Sequence, residues 1–187
     1  MLTSTLSQNC LDCGLIHGCK KPLSAQFSNF TKKYLCQNYV LVVADHPDAY
    51  DDSVEFYQSP NQGHDVVLDY LECLDTKWIF KTALACYPGE DPKKLKDKNY
   101  SLCFKEQVEP LMLKFKPRSI ICLGLKAMKA VLGENAPSAM SDIETTGYQI
   151  YIDGSPCQVF SLPHCSKFND EKTNLGKLKQ RYGTTFM

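Results

Sequence analysis

The sequence predicts a single α/β domain, residues 1–187, built on a mostly parallel sheet, and three observations predict it. Short continuous apolar runs rich in β-branched residues recur along the chain, as strands buried on both faces require. Segments whose apolar residues fall at helical spacing stand between those runs. Proline and glycine punctuate the junctions. With 43% of its 187 residues apolar and no internal repeat or low-complexity tract, the chain can bury one sizeable core.

The elements follow in order. Tyr39–Ala44 is an apolar, β-branched run and predicts the first strand. Asp45 to Gly63 is polar, carries Pro47 and Pro60, and reads as loop. Val67, Leu68, Leu71 and Leu74 then mark a helix over Asp65 to Leu74. Trp78 to Ala85 reads as the second strand, broken by the segment Tyr87 to Pro92. A helix follows over Ser101 to Phe115 and is stopped by Pro117. Ser119 to Leu123 is the third strand, closed by Gly124, and Leu125 to Leu132 the helix leaving it, with Gly133 as its C-cap. Tyr148–Ile152 and Gln158–Leu162 flank the turn Asp153-Gly154-Ser155-Pro156 and predict two further strands, and Glu171 to Arg181 predicts a final helix. Sites in such sheets form at the carboxyl ends of strands. That rule picks out the loops opening at Asp45, at Thr82 to Cys86 and at His164.

Composition bounds the function. No apolar run approaches the roughly 20 residues needed to cross a bilayer, so no membrane partner is expected. Met1 to Ser7 lacks the basic and apolar regions of an export signal. Ten cysteines without such a signal argue for a cytoplasmic chain with reduced thiols rather than a disulfide scaffold. Net charge is zero and the pI near 6.9, which weighs mildly against nucleic-acid binding. Lysines do cluster, at Lys93, Lys94, Lys96 and Lys98 and again from Lys167 to Arg181. Solvated surface charge is the plainer account of each cluster.

Cys10 and Cys13 form a C-x2-C pair, a spacing that lets two thiolates reach one metal centre. Cys86, just after a strand, and Cys103, at the start of a helix, would complete a four-thiolate site for zinc or a [4Fe–4S] cluster. Cys73 and Cys122 lie within apolar patterns and read as core. Cys19, Cys36, Cys157 and Cys165 have no assignment, Cys19 being the natural substitute ligand.

The order of these features resembles the iron–sulfur, family-4 branch of the uracil-DNA glycosylase superfamily. Where that family has C-x2-C followed by a strand ending in G-E-A-P-G-x-x-E-D, this chain has Cys10 and Cys13 and then Ala44-Asp45-His46-Pro47-Asp48-Ala49-Tyr50-Asp51-Asp52. The family's N-x-x-K-C-x-P meets Thr82-Ala83-Leu84-Ala85-Cys86-Tyr87-Pro88. Its K-P-x-x-I-x-x-L-G-x-x-A meets the run from Lys116-Pro117 through Ile120 and Leu123-Gly124 to Ala127, and its H-P-S meets His164-Cys165-Ser166. The resemblance spans nearly the whole chain. It implies a three-layer α/β/α domain with a central, mostly parallel four-stranded sheet. It also implies a [4Fe–4S] cluster on Cys10, Cys13, Cys86 and Cys103, with zinc as the alternative.

For function, the resemblance implies a monomeric DNA glycosylase, cytoplasmic or nucleoid-associated in a prokaryotic or viral setting. Such an enzyme hydrolyses the N-glycosidic bond of uracil or another altered pyrimidine flipped from single- or double-stranded DNA. Asp45 and Asp51 match the acidic positions that would stabilise an oxocarbenium-like sugar or orient water, although aspartates also serve simply as turn residues. His164 matches the histidine that donates a hydrogen bond to the leaving base. Ser166 and Lys167 fall in the DNA-contacting loop, and Phe56 or Tyr57 would stack on the base. Thr82 stands where the family's asparagine reads the uracil edge. A hydroxyl makes one rotating contact where an amide both donates and accepts, so the base preference is left open. Ala44 and Asp48 replace both glycines of the first motif, and Cys165 replaces the proline of the last. Two other functions fit the same residues: a non-catalytic DNA-binding or replication-associated subunit on this scaffold, and an unrelated zinc-stabilised protein.

Overall fold

The computed structural model describes residues 8–13, 15, 24–28, 39–46, 64–86, 95–138 and 147–164. Its elements are α1 (Gln8–Cys13), β1 (Gln26–Phe27), β2 (Tyr39–Ala44), α2 (His64–Cys73) and β3 (Lys77–Thr82). After these come α3 (Asp97–Gln107), α4 (Glu109–Phe115), β4 (Ser119–Leu123), α5 (Leu125–Leu132), β5 (Tyr148–Ile152) and β6 (Ser155–Leu162).

One mixed sheet organises them, in the order β1-β3-β2-β4-β6-β5. Strands β3, β2, β4 and β6 run parallel, with Val42 aligned to Phe80 on one side and to Ile121 on the other. β1 and β5 are antiparallel edges. The sheet therefore has six strands where the resemblance implies four. The additions are the two-residue β1 and the hairpin strand β5, which turns into β6 through Asp153 (φ 49) and Gly154 (φ 77). Two consecutive left-handed residues are what a tight two-residue hairpin needs.

All six residues of β2 and all five of β4 are buried, so their near-continuous apolar sequence is a consequence of being covered on both faces. Strand alternation splits the core into two layers. Leu41, Val43, Ile79, Ile120 and Cys122 face Tyr100, Cys103 and Phe104 of α3, Met112 of α4 and Met128 of α5. Val40, Val42, Trp78, Phe80 and Ile121 face Val67, Leu68 and Leu71 of α2.

Four local expectations change, the first being that β6 begins at Ser155 rather than Gln158, so that the turn is Asp153-Gly154 alone. β3 ends at Thr82 rather than Ala85, and the next two amides still donate across to the end of β2, to Ala44 O (2.7 Å) and Asp45 O (3.0 Å). The helix expected over Ser101 to Phe115 is two helices, and it begins earlier, where the Asn99 side chain accepts the Lys96 N–H at 3.1 Å. Pro110 explains the break at Val108, since its ring removes a helical donor and crowds the carbonyl four residues back. Cys103 consequently lies within α3 rather than at its start. Finally, Cys73 is exposed near the end of α2, whereas Cys122 is fully buried as expected.

Candidate functional site

Every parallel strand ends on the same edge of the sheet, and that edge gathers the polar residues. Asp45 follows β2, and its Oδ1 accepts the N–H of Ala127, in the first turn of α5, at 2.7 Å. Gly124 makes this approach possible. A Cβ on Gly124 would stand 2.9 Å from both Asp45 carboxylate oxygens, and its φ of +101 belongs to glycine. The glycine of the L-G-x-x-A motif is thus room for a carboxylate. Burial pushes the Asp45 carboxyl up to about 6, against the pull of the Ala127 N–H, His46 and Lys126. Its charge in turn helps burial raise the Tyr100 hydroxyl and the Cys122 thiol.

His164 lies two residues beyond β6, half-buried, and burial lowers its pKa, favouring the neutral imidazole. Two more histidines surround it. The His46 ring centre is 6.5 Å away, and that of His64, the first residue of α2, is 6.2 Å away and nearly perpendicular. His64 is 5% exposed and packs on Phe80 at 5.4 Å. His46 is both the neighbour of Asp45 in the chain and a ring neighbour of His164. Thr82, last in β3 and level with Ala44, is wholly buried, and its Oγ1 has no hydrogen-bond partner among the described residues. Alternation puts it on the Phe80 face, the face that also receives His64.

A second centre lies on the α3 side of the sheet, the face away from Thr82 and His64. α1 packs along α3, where Asn99 Nδ2 donates to Cys13 O at 3.0 Å and approaches Cys13 Sγ at 3.5 Å. Cys103 Sγ accepts the Ala85 N–H at 3.1 Å. Burial pushes the Cys103 thiol up to about 11, opposed by that N–H and by Lys81, while Cys13 and Cys10 act on it as neighbouring charges. Cys86 and Cys103 both act on Lys81. Thiols from α1, from the bend after β3 and from α3 thus share one neighbourhood. These four are the residues that could hold a metal or cluster, whose binding would keep them as thiolates. Among the described residues, no three histidine, cysteine or acidic side chains are already set around a single-ion position.

A groove of about 550 Å³ runs between α3 and α5, bordered by Tyr100, Lys98, Lys126 and Lys129. One of these cations is tied down, Lys126 bonding Asp97 at 2.6 Å.

Asp51, Phe56, Tyr57, Ser166, Lys167 and Cys19 lie outside the described residues, as does the helix expected over Glu171 to Arg181. His46, His64 and Lys81 were not singled out by the sequence reading. His64 carries no local signal, since only the fold brings it to His164. Lys81 did carry one, a lysine inside an otherwise apolar strand. No protein-family model matches the chain, and no curated protein matches it in sequence.

Proposed function

We propose that this chain is a DNA glycosylase of the iron–sulfur uracil-DNA glycosylase type, hydrolysing the N-glycosidic bond of uracil or another altered pyrimidine. The observation that carries the proposal is that Asp45 and a half-buried His164 both follow parallel strands on one sheet edge, with the His46 ring 6.5 Å from that of His164. Departure of a pyrimidine leaves positive charge on the sugar and negative charge on the base. A carboxylate and an N–H donor answer those two needs. In this scheme the His164 imidazole donates to the base oxygen where charge develops. Ionised Asp45 stabilises the sugar cation or orients water, and the Thr82 hydroxyl contacts the base edge. Lys98 and Lys129, beside the α3–α5 groove, give an otherwise neutral chain local cations for phosphate.

Cys10, Cys13, Cys86 and Cys103 would hold the [4Fe–4S] cluster, whose contribution when bound is to cross-link α1, the bend after β3 and α3. The test is release of free base from DNA carrying uracil, 5-hydroxymethyluracil or other modified pyrimidines by anaerobically purified protein. Release that falls at least about tenfold in His164→Ala is the expected result. No release from any such substrate by protein containing iron and sulfide would refute the enzymatic reading.

The bond from Ala127 to Asp45 favours one second reading, in which Asp45 is a helix cap and the scaffold binds DNA without cutting it. Salt-sensitive DNA binding without base release would mark that case.

A further inference from the structure

Lys81 is 1% exposed, the only fully buried lysine, arginine or carboxylate side chain among the described residues. It stands in β3, the outermost of the four parallel strands, level with Val43 of β2. Alternation gives it the face of Ile79 and Ala83, against which Cys103 and Tyr100 pack, and not the face of Trp78 and Phe80. An aliphatic residue would fill that position without the penalty of taking an ammonium out of water. Retaining the charge calls for negative charge nearby. Cys103 packs in the core layer of Ile79 and Ala83, the residues that share the face of Lys81, and its Sγ accepts the N–H of Ala85, the residue before Cys86, at 3.1 Å. Burial pushes the ammonium down to about 8, and Cys103 and Cys86 oppose that fall. Neutral thiols would offer little compensation. Metal-bound thiolates carry net negative charge whether the metal is iron or zinc.

We propose that Lys81 is the built-in countercharge of the four-thiolate centre, offsetting the charge of its ligands and making the bound centre easier to reduce. This rests on the reading of Cys10, Cys13, Cys86 and Cys103 as ligands. A fixed positive charge favours whichever state of the centre is more negative, and for a [4Fe–4S] cluster that is the one-electron reduced state.

The test compares wild type, Lys81→Met, which keeps the stem and removes the charge, and Lys81→Arg, which keeps the charge. All three are purified anaerobically, and iron and acid-labile sulfide are measured first. Redox titration with dithionite, followed by electron paramagnetic resonance, then gives the midpoint of each. Lys81→Met is expected to shift the reduction equilibrium at least tenfold toward the oxidised form, a fall of about 59 mV for a one-electron couple. Lys81→Arg should stay close to wild type. An iron-loaded Lys81→Met with an unmoved midpoint overturns the countercharge and leaves the ligand assignment standing. Equal shifts in Met and Arg variants also overturn it, since shape rather than charge would then be responsible. If the centre holds zinc, the readout becomes the rate of metal loss to a chelator, at least tenfold faster in Lys81→Met and near wild type in Lys81→Arg. Should Lys81→Met fail to fold, a folded and loaded Lys81→Arg supports the proposal, and failure of both overturns it. Wild-type protein with neither metal overturns the ligand assignment and the countercharge together.

Discussion

Replacing Asp45 with asparagine removes a charge while leaving the shape and the hydrogen bond to Ala127 in place, because the amide oxygen can accept the same N–H. The carboxyl of Asp45 rises from its ordinary 3.8 to about 6 in the folded chain, with burial as the largest cause. A folded state that binds a proton more tightly than the unfolded one is favoured at low pH. The contribution is therefore fully present below pH 3.8 and is lost as pH climbs to about 6. The rise corresponds to about 3 kcal/mol, which is a ceiling because Asp45 keeps some contact with solvent and water screens its charge.

Urea denaturation of wild type and Asp45→Asn across the pH range reads this directly. The two should be equally stable near pH 4, where the wild-type carboxyl is neutral and resembles the amide. Above pH 7 the asparagine variant should be more stable, by about 1–3 kcal/mol, while its base release falls at least about tenfold. The wild-type rate should decline as pH drops through about 6, where Asp45 takes up its proton. A variant that is less stable than wild type at pH 8 would refute the account of a strained buried charge. A variant that releases base at the wild-type rate would refute the catalytic role.

Other substitutions test the neighbouring residues. Thr82→Val removes a fully buried hydroxyl; thermal melting should show stability unchanged or raised by about 1 kcal/mol, and competition between modified bases should show weaker discrimination. Gly124→Ala forces a Cβ to within 2.9 Å of the Asp45 oxygens at a left-handed φ, and should lower stability by about 2–4 kcal/mol in urea titrations. Cys86→Ser should lose iron, measured by elemental analysis, and melt well below wild type, because metal binding is coupled to folding.

The sheet was legible wherever burial on both faces wrote an unbroken apolar run. β2 and β4 have the expected bounds, as does the half-exposed edge strand β5, and α5 (Leu125–Leu132) lies between Gly124 and Gly133 as those glycines announce. β1 was not legible, since two residues, Gln26 and Phe27, hold no periodicity and acquire strand geometry only by pairing with β3. Pro110 could have revealed the break at Val108, but the apolar positions on either side of it keep helical spacing and mask it. Cys73 looked like core because Leu71 and Leu74 flank it, yet the helix turns that position outward. Within the site, Asp45 and His164 were found because each opens a loop at the carboxyl end of a strand. His46 and His64 become partners of His164 only through tertiary structure.

Asp45 is where the two readings of the chain divide, and its energetics separate them. A residue kept only to cap α5 would gain from the cap: the Ala127 N–H and the helix terminus would hold its carboxyl below 3.8. The carboxyl is instead raised to about 6, so desolvation outweighs the hydrogen bond, and the ionised form is a cost to the fold. Asparagine or serine would cap the helix without that cost. Gly124 deepens the argument, because the chain accepts a backbone conformation reserved for glycine to admit this carboxylate. Two local concessions, a desolvated charge and a left-handed backbone, converge on one side chain whose chain neighbour His46 lies 6.5 Å, ring centre to ring centre, from His164. Natural proteins tolerate such concessions where chemistry uses them. The proposed reaction would account for the charge on Asp45, and the stability of Asp45→Asn above pH 7, read beside its rate of base release, tests that account.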